Sequence, residues 1–439
     1  MKKTPIDYHV VSDKIRESKV KSVGTASIRE IKKLVDEIEK ETGEKYIRME
    51  MGIPGLPPSQ LGIEAEKKAL DRGIPAIYPD IFGIYELKVE IRRFARLFLN
   101  IDVKTEGCIP TVGSMQGSFA SFMTLNRMHA DREGTLFIDP GFPVHKQQLR
   151  VMGQDHMSFD VYNYRGEKLR EKLLSYLKTG KVSTILYSNP NNPSWICFTE
   201  RELKIIGELA TAYDVIVIED LAYFGMDFRK DYSKPGEAPY QPSVANYTDN
   251  YVLLISSSKA FSYAGQRIGM MVMSDKVFDT QAPDLLRFYN FDTVGKAMIF
   301  GALYSLSSGT AHTPQYALAA ILKAVNDGEY NFLEVVKDYG EKAHVMKKLF
   351  LDNGFRIVYD KDENDPIADG FYFTFSYPGM SGEELLNDLI YYGISAISLA
   401  ITGSERLEGI RACVSLVNRN QFPDLEKRLI QFHEDHPVK

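Results

Sequence analysis

Four short and almost wholly apolar runs, Thr135–Asp139, Thr184–Ser188, Val215–Glu219 and Val252–Ser256, alternate with stretches whose apolar residues recur at helical spacing. Such short runs suit strands buried on both faces. Their alternation with helices calls for crossover connections and a largely parallel sheet. The helical stretches cover about 60–72, 84–99, 115–129, 166–178 and 199–213. An amphipathic helix over 26–42 precedes them, with Ile28, Ile31, Val35 and Ile38 on one face. Residues 226–250, with Pro235 and Pro242, read as an excursion between two strands of the sheet.

Beyond about residue 330 the pattern changes. A long helix (about 331–352) leads to short strands at Gly354–Tyr359, Gly370–Phe375, Ile394–Ile397 and Gly409–Ser415, with a helix near 382–391 and another at the end. That mixture predicts a smaller α+β domain. The expected division is an N-terminal segment at 1–50, a large domain at 51–325 and a C-terminal small domain at 326–439.

Composition narrows the function classes. With 53 Lys+Arg against 59 Asp+Glu, the chain lacks the basic excess that phosphate-backbone binding needs, so no nucleic acid partner is expected. Cys108, Cys197 and Cys413 are far apart, at neither metal nor redox spacing, and fit a reducing compartment. No metal site is expected: the eight histidines include no HExxH-like pair, and His433 and His436 sit in a charged tail. The opening MKKTPIDYHVVSDK has no apolar stretch of signal-peptide length, and no segment is an uninterrupted membrane span. The expectation is a cytoplasmic protein with no membrane contact.

In an open parallel sheet, ligands sit beyond the carboxyl ends of the strands. Three polar clusters follow strand patterns: Asn189-Pro190-Asn191-Asn192-Pro193, then Glu219-Asp220-Leu221-Ala222-Tyr223, then Ser256-Ser257-Ser258-Lys259, with a fourth site, Arg267, eight residues after the lysine. A glycine-bearing turn, Thr111 to Gly117, opens a helix. Taken singly these are a turn, a helix cap and a solvated loop. There is neither a P-loop nor a dinucleotide glycine fingerprint after the first strand.

As a set they resemble the aspartate aminotransferase superfamily, the fold-type I pyridoxal phosphate enzymes of aminotransferase class I/II. The motifs are NPNNP, D-x-A-Y, S-x-S-K with its later arginine, and Gly409-Ile410-Arg411, and the resemblance runs from about residue 22 to the last helix. It implies an α/β fold: a large domain with a mixed, mostly parallel seven-stranded sheet flanked by helices, plus a smaller α+β domain that the N-terminal segment, 1–50, joins. It also implies pyridoxal 5'-phosphate as cofactor, an amino acid and a 2-oxo acid as substrates, and a homodimer with shared active sites.

The resemblance assigns roles to particular residues. Lys259 would carry the cofactor and move the substrate proton, and Asp220 would pair with the pyridinium nitrogen. Tyr223 and Asn192 would hydrogen-bond the cofactor's phenolic oxygen. Ser256, Ser258 and Arg267 would hold the phosphate together with the helix N-terminus at Gly113, Ser114 and Met115. Tyr78 would reach that phosphate from the partner chain. Phe142 would stack on the ring, with His145 against Asp220. Arg411 would clamp the substrate carboxylate, since an arginine within an apolar strand is costly unless it meets an anion. Its alternative reading is a buried ion pair.

Two segments depart from the family pattern. Met51-Gly52-Ile53-Pro54-Gly55-Leu56-Pro57 lacks the usual Gly-x-Pro-Asp wording, and Trp195, the only tryptophan, replaces a small residue in NPNNPSW. Specificity stays open. Arg287 could meet a second carboxylate, or Phe288, Tyr289, Phe291, Phe300 and Tyr304 could line an apolar pocket or simply pack. The leading reading is an aminotransferase. The alternatives are a lyase, decarboxylase or synthase on the same fold, or a non-catalytic regulator, against which stand an intact Lys259 and Asp220.

Overall fold

Residues 4–132 and 134–438 are described by the computed structural model. The chain divides into two units. The larger comprises Leu56–Asn191 and Cys197–Val336; the smaller takes the N-terminal segment through Gly55, Asn192–Ile196, and the chain from Lys337 onward. The divisions expected at 50 and 325 thus fall at 55 and 336. Asn192–Ile196 groups with the smaller unit because Trp195 packs there against Gly370 and Tyr372.

In the larger unit seven strands form one sheet: β1 (Cys108–Thr111), β2 (Gly134–Asp139), β3 (His156–Asp160), β4 (Val182–Ser188), β5 (Ile216–Asp220), β6 (Tyr251–Ser256) and β7 (Gly269–Met273). Their spatial order is β1-β7-β6-β5-β4-β2-β3. Strands β2 to β6 pair in parallel, and β7 runs antiparallel to both of its neighbours. Every residue of β4, β5 and β6 is buried, which explains the unbroken apolar runs. Phe137, Leu186, Ile218, Val252 and Leu254 of the sheet share a core with Phe122 and Leu125 of the helix Gly113–Leu125.

Helices Gln60–Asp71, Tyr85–Leu99, Glu167–Leu177 and Glu200–Ala212 lie where the periodicity predicts them. The last begins at a capping box in which Thr199 and Glu202 satisfy each other's backbone N–H groups. Across β4 and β5, Ser188 stands opposite Asp220. The carboxyl ends of the parallel strands therefore form one rim, where Asp139, Ser188, Asp220 and Ser256 are the last strand residues.

The smaller unit has a four-stranded antiparallel sheet in the order Ile397–Ser398, Ile410–Cys413, Tyr372–Ser376, Arg356–Ile357. Phe350, Phe355, Phe373, Phe375 and Phe432 form an aromatic cluster against it. A parallel pair joins Ile47–Arg48 to Ile394–Ser395, so the two ends of the chain share this unit. Helix Tyr8–Glu17 precedes the expected Ile28–Thr42 helix, which opens on a Ser27–Glu30 capping box. Among the described residues no helix is long and apolar enough to cross a membrane.

Candidate active site

Strand alternation splits the acidic pair at the end of β5. Glu219, fully buried, accepts from Ser243 Oγ (2.5 Å), the Val244 N–H (3.1 Å) and Tyr187 Oη (3.2 Å). Asp220 accepts from the Ala222 N–H at 3.1 Å, and His145 Nε2 lies 3.9 Å from its other oxygen. Burial pushes Asp220 up to about 7, against the pull of the Ala222 N–H and the charge of Lys259. Burial also holds His145 down to about 4, so at neutral pH it is an uncharged ring behind the carboxylate. Phe142 meets that ring edge-on at 5.6 Å. Tyr223, three residues past Asp220, is buried.

Lys259 stands on a one-turn helix, Ser257–Ala260, that continues directly from β6. Ser256 caps the turn by accepting from the Ser258 N–H at 3.1 Å, and Ser257 Oγ donates to the Ile268 carbonyl at 2.5 Å. The lysine is thus on a short, doubly anchored segment, half-buried.

Arg267 has φ +51° and donates from Nη1 to the Ala264 carbonyl at 2.8 Å. Its Nη2 rests against Gly113, where an added Cβ would lie 2.7 Å away. Gly113 has φ +66°, so both its conformation and the close approach require glycine. The helix it begins has no side-chain cap, and the first-turn N–H groups at Ser114 and Met115 are in half-buried residues. Uncapped N–H groups, the helix dipole and a guanidinium converge on one place, a cradle suited to a phosphate.

In the smaller unit Arg411 is 2% exposed. It donates from Nη1 to Asn192 Oδ1 (3.3 Å) and from Nη2 to the Glu50 carbonyl (2.5 Å), while its Cζ lies 4.6 Å above the Tyr372 ring. Nε is buried without a partner, and among the described residues no carboxylate pairs with it. The buried-ion-pair alternative for Arg411 therefore has no partner to supply it.

Other expected residues lie elsewhere. Tyr78 is 89% exposed and does not pack among the cradle residues of its own chain. Arg287 is exposed and donates to the Asp284 carbonyl. Of the aromatics, Tyr289 reaches the Met123 carbonyl (2.9 Å) and Phe291 packs on Phe300, while Phe288 and Tyr304 remain exposed. The Gly55 N–H is taken by Tyr339 Oη at 3.1 Å.

The sequence profile described as "Aminotransferase class I and II" matches residues 44–334. The chain belongs to the class I and II aminotransferases. This aminotransferase is 26% identical over 356 residues to a probable aspartate aminotransferase of Methanocaldococcus jannaschii, covering 76% of this chain and 88% of that protein. Its fold matches the solved structures of an aspartate aminotransferase from Thermotoga maritima (TM-score 0.73, 19% identity) and an alanine aminotransferase from Pyrococcus furiosus (TM-score 0.75, 20% identity). Each alignment covers 96% of this chain and 99% of the other. At those identities the structures establish a shared fold, the seven-stranded α/β architecture that the motifs imply.

Sequence reasoning passed over two residues that meet Arg411 in this aminotransferase, Glu50 and Tyr372, and marked Trp195, which packs on Tyr372, only as a departure from the family pattern. The available signals were two glycines. A Cβ on Gly52 would lie 2.0 Å from Tyr372 Oη, and one on Gly370 would lie 2.0 Å from Trp195 Cε2.

Proposed function

We propose that this aminotransferase uses pyridoxal 5'-phosphate to exchange an amino group between an amino acid and a 2-oxo acid. The observation that carries the reading is Asp220: a carboxylate buried at a strand end, backed by a neutral histidine and within the field of Lys259. When bound, the cofactor supplies an electron sink for charge developing at the substrate Cα.

The chain's own residues do the rest. Asp220 would take the proton-bearing ring nitrogen, and burial would strengthen that charge-assisted hydrogen bond. Phe142 would pack against the ring. Tyr223 and Asn192 would hydrogen-bond its phenolic oxygen. Arg267, Ser256, Ser258 and the helix start at Gly113, Ser114 and Met115 would hold the phosphate. Lys259 would anchor the cofactor and move the proton at the substrate Cα. Arg411 receives the α-carboxylate: a desolvated guanidinium with an open Nε and no carboxylate partner favours an anion.

A second copy of the chain completes the site through Tyr78. That side chain is exposed in a stretch where Ile77 and Tyr85 are exposed as well. Three buried cysteine thiols fit the cytoplasmic location included in the proposal.

The test is a spectral titration of the holoenzyme with single amino acids, no oxo acid being added. A subset of donors should shift the cofactor band and release one equivalent of oxo acid per site. Release of carbon dioxide or ammonia without that stoichiometry overturns the reading, as does a Lys259→Ala protein that keeps the wild-type band.

A further inference from the structure

Trp195 is fully buried and sits at φ +64°, a left-handed conformation that bulky side chains seldom adopt. Such an outlier persists only where surrounding structure enforces it, and it points to a role. Its indole fills the space beside Gly370 and meets the Tyr372 ring edge-on, with centroids 6.2 Å apart at 65°. The face of Tyr372 underlies the Arg411 guanidinium at 4.6 Å, and its hydroxyl end lies over Gly52. Three residues before Trp195, Asn192 holds Nη1 of the same guanidinium. One five-residue stretch, Asn192–Ile196, therefore acts on Arg411 twice, directly at one edge and through Tyr372 at one face.

We propose that Trp195 and Tyr372 are positioning residues for substrate recognition: an aromatic bracket that fixes the plane of the Arg411 guanidinium before the carboxylate arrives. The inference rests on the reading of Arg411 as the carboxylate clamp. A guanidinium accepts a carboxylate through two parallel hydrogen bonds only in its own plane, so a ring beneath it limits rotation out of that plane. The ring also partly compensates the positive charge in the unliganded protein, through the negative face of its π system. Trp195 keeps Tyr372 from turning away, and the glycines at 52 and 370 leave room for both rings. The small residue that the family pattern places at 195 could not reach Tyr372, so the bracket is a feature of this chain.

Steady-state and single-turnover kinetics of the holoenzyme test it. In Tyr372→Leu, KM for the amino acid and Ki for a simple carboxylate competitor should each rise about tenfold, the equivalent of ~1.4 kcal/mol, with the saturating single-turnover rate within about threefold of wild type. Tyr372→Phe keeps the ring and should restore both constants to within about threefold. Trp195→Phe should raise the same two constants, and its effect should vanish in an Arg411→Lys background, because the two residues act through one group. The proposal fails if Tyr372→Leu leaves KM and Ki unchanged, if its loss appears in the saturating rate instead, or if Trp195→Phe and Arg411→Lys are additive. Arg411→Ala separates the two readings. If it leaves KM and Ki unchanged, the clamp itself is wrong; if it raises them while the aromatic variants do not, only the bracket is.

Discussion

Glu219 and Asp220 are neighbours in the chain with the same raised affinity for protons and different surroundings. Burial pushes Glu219 up from an ordinary 4.5 to about 7 even though three donors reach it, while Asp220 rises to about 7 beside a neutral histidine and a lysine. The sequence marked an acidic pair after a strand, and a family motif singled out Asp220. Nothing in it gave the surroundings of Glu219, whose partners Tyr187 and Ser243 come from distant parts of the chain. The sign of its effect follows from linkage. Between pH 4.5 and 7 the folded protein holds the Glu219 proton more tightly than the unfolded chain, so stability falls as pH rises and the cost is complete above 7. Glu219→Gln removes this slope. Urea melts of the apoprotein from pH 5 to 8 should show the variant gaining on wild type by about 2–3 kcal/mol as pH rises, the Asp220 contribution cancelling in the comparison. A difference that stays constant with pH would contradict the assignment.

At the scale of elements, the strands legible from sequence were those buried on both faces, because burial removes polar residues from every position. Three strands of the sheet were not picked out individually, each for its own reason. β1 has four residues, one of them Pro110, tolerable because it is an edge strand with a single neighbour. β3, at the opposite edge, is fully buried only in its last two residues. β7 reads Gly-Met-Met-Val-Met, poor in the branched residues that signal strands. The helix His312–Asn326 escaped because it is buried over most of its circumference and shows little polar periodicity. The helix beginning at Gly113 was legible from its turn, yet the reason for the glycine was not: Arg267 arrives from the loop before β7 and occupies the place of a Cβ. Gly113→Ala should force the guanidinium off the helix start. Fluorescence titration should then show affinity for pyridoxal 5'-phosphate reduced about tenfold or more, with affinity for pyridoxal, which has no phosphate, changed much less. Equal losses for both ligands would place the damage outside the phosphate cradle.

At the scale of the whole chain, the smaller unit is assembled from segments nearly the full sequence apart, and local patterns are silent about such joins; only the family resemblance anticipated this one. Arg428, 6% exposed on the helix Phe422–Asp435, supplies much of the connection. It donates to the Gly393 carbonyl at 2.7 Å and to the Lys45 carbonyl at 2.8 Å, beside the point where Ile47 N donates to Gly393 at 2.8 Å and Met49 N to Ser395 at 2.9 Å. Removing the guanidinium takes the Arg428 donor from the Lys45 carbonyl and one of two donors from the Gly393 carbonyl, which keeps the Ile47 N–H; each such bond to a charged donor is worth about 1.5–3 kcal/mol. Arg428→Met keeps most of the aliphatic stem and so isolates the polar loss. The position of Arg411 depends on the same join, since one of its partners is the carbonyl of Glu50, immediately after that strand pair. Hydrogen exchange should therefore show the Ile47 and Met49 amides losing protection by a factor of about ten to a hundred in Arg428→Met, while amides of β4 and β5 keep their wild-type rates. In the same variant KM for the amino donor should rise, because the Arg411 guanidinium loses a fixed acceptor. Loosened Ile47 and Met49 amides with an unchanged KM would show that the carbonyl of Glu50 is held by other means, and that the end-to-end join supports the fold without setting the clamp.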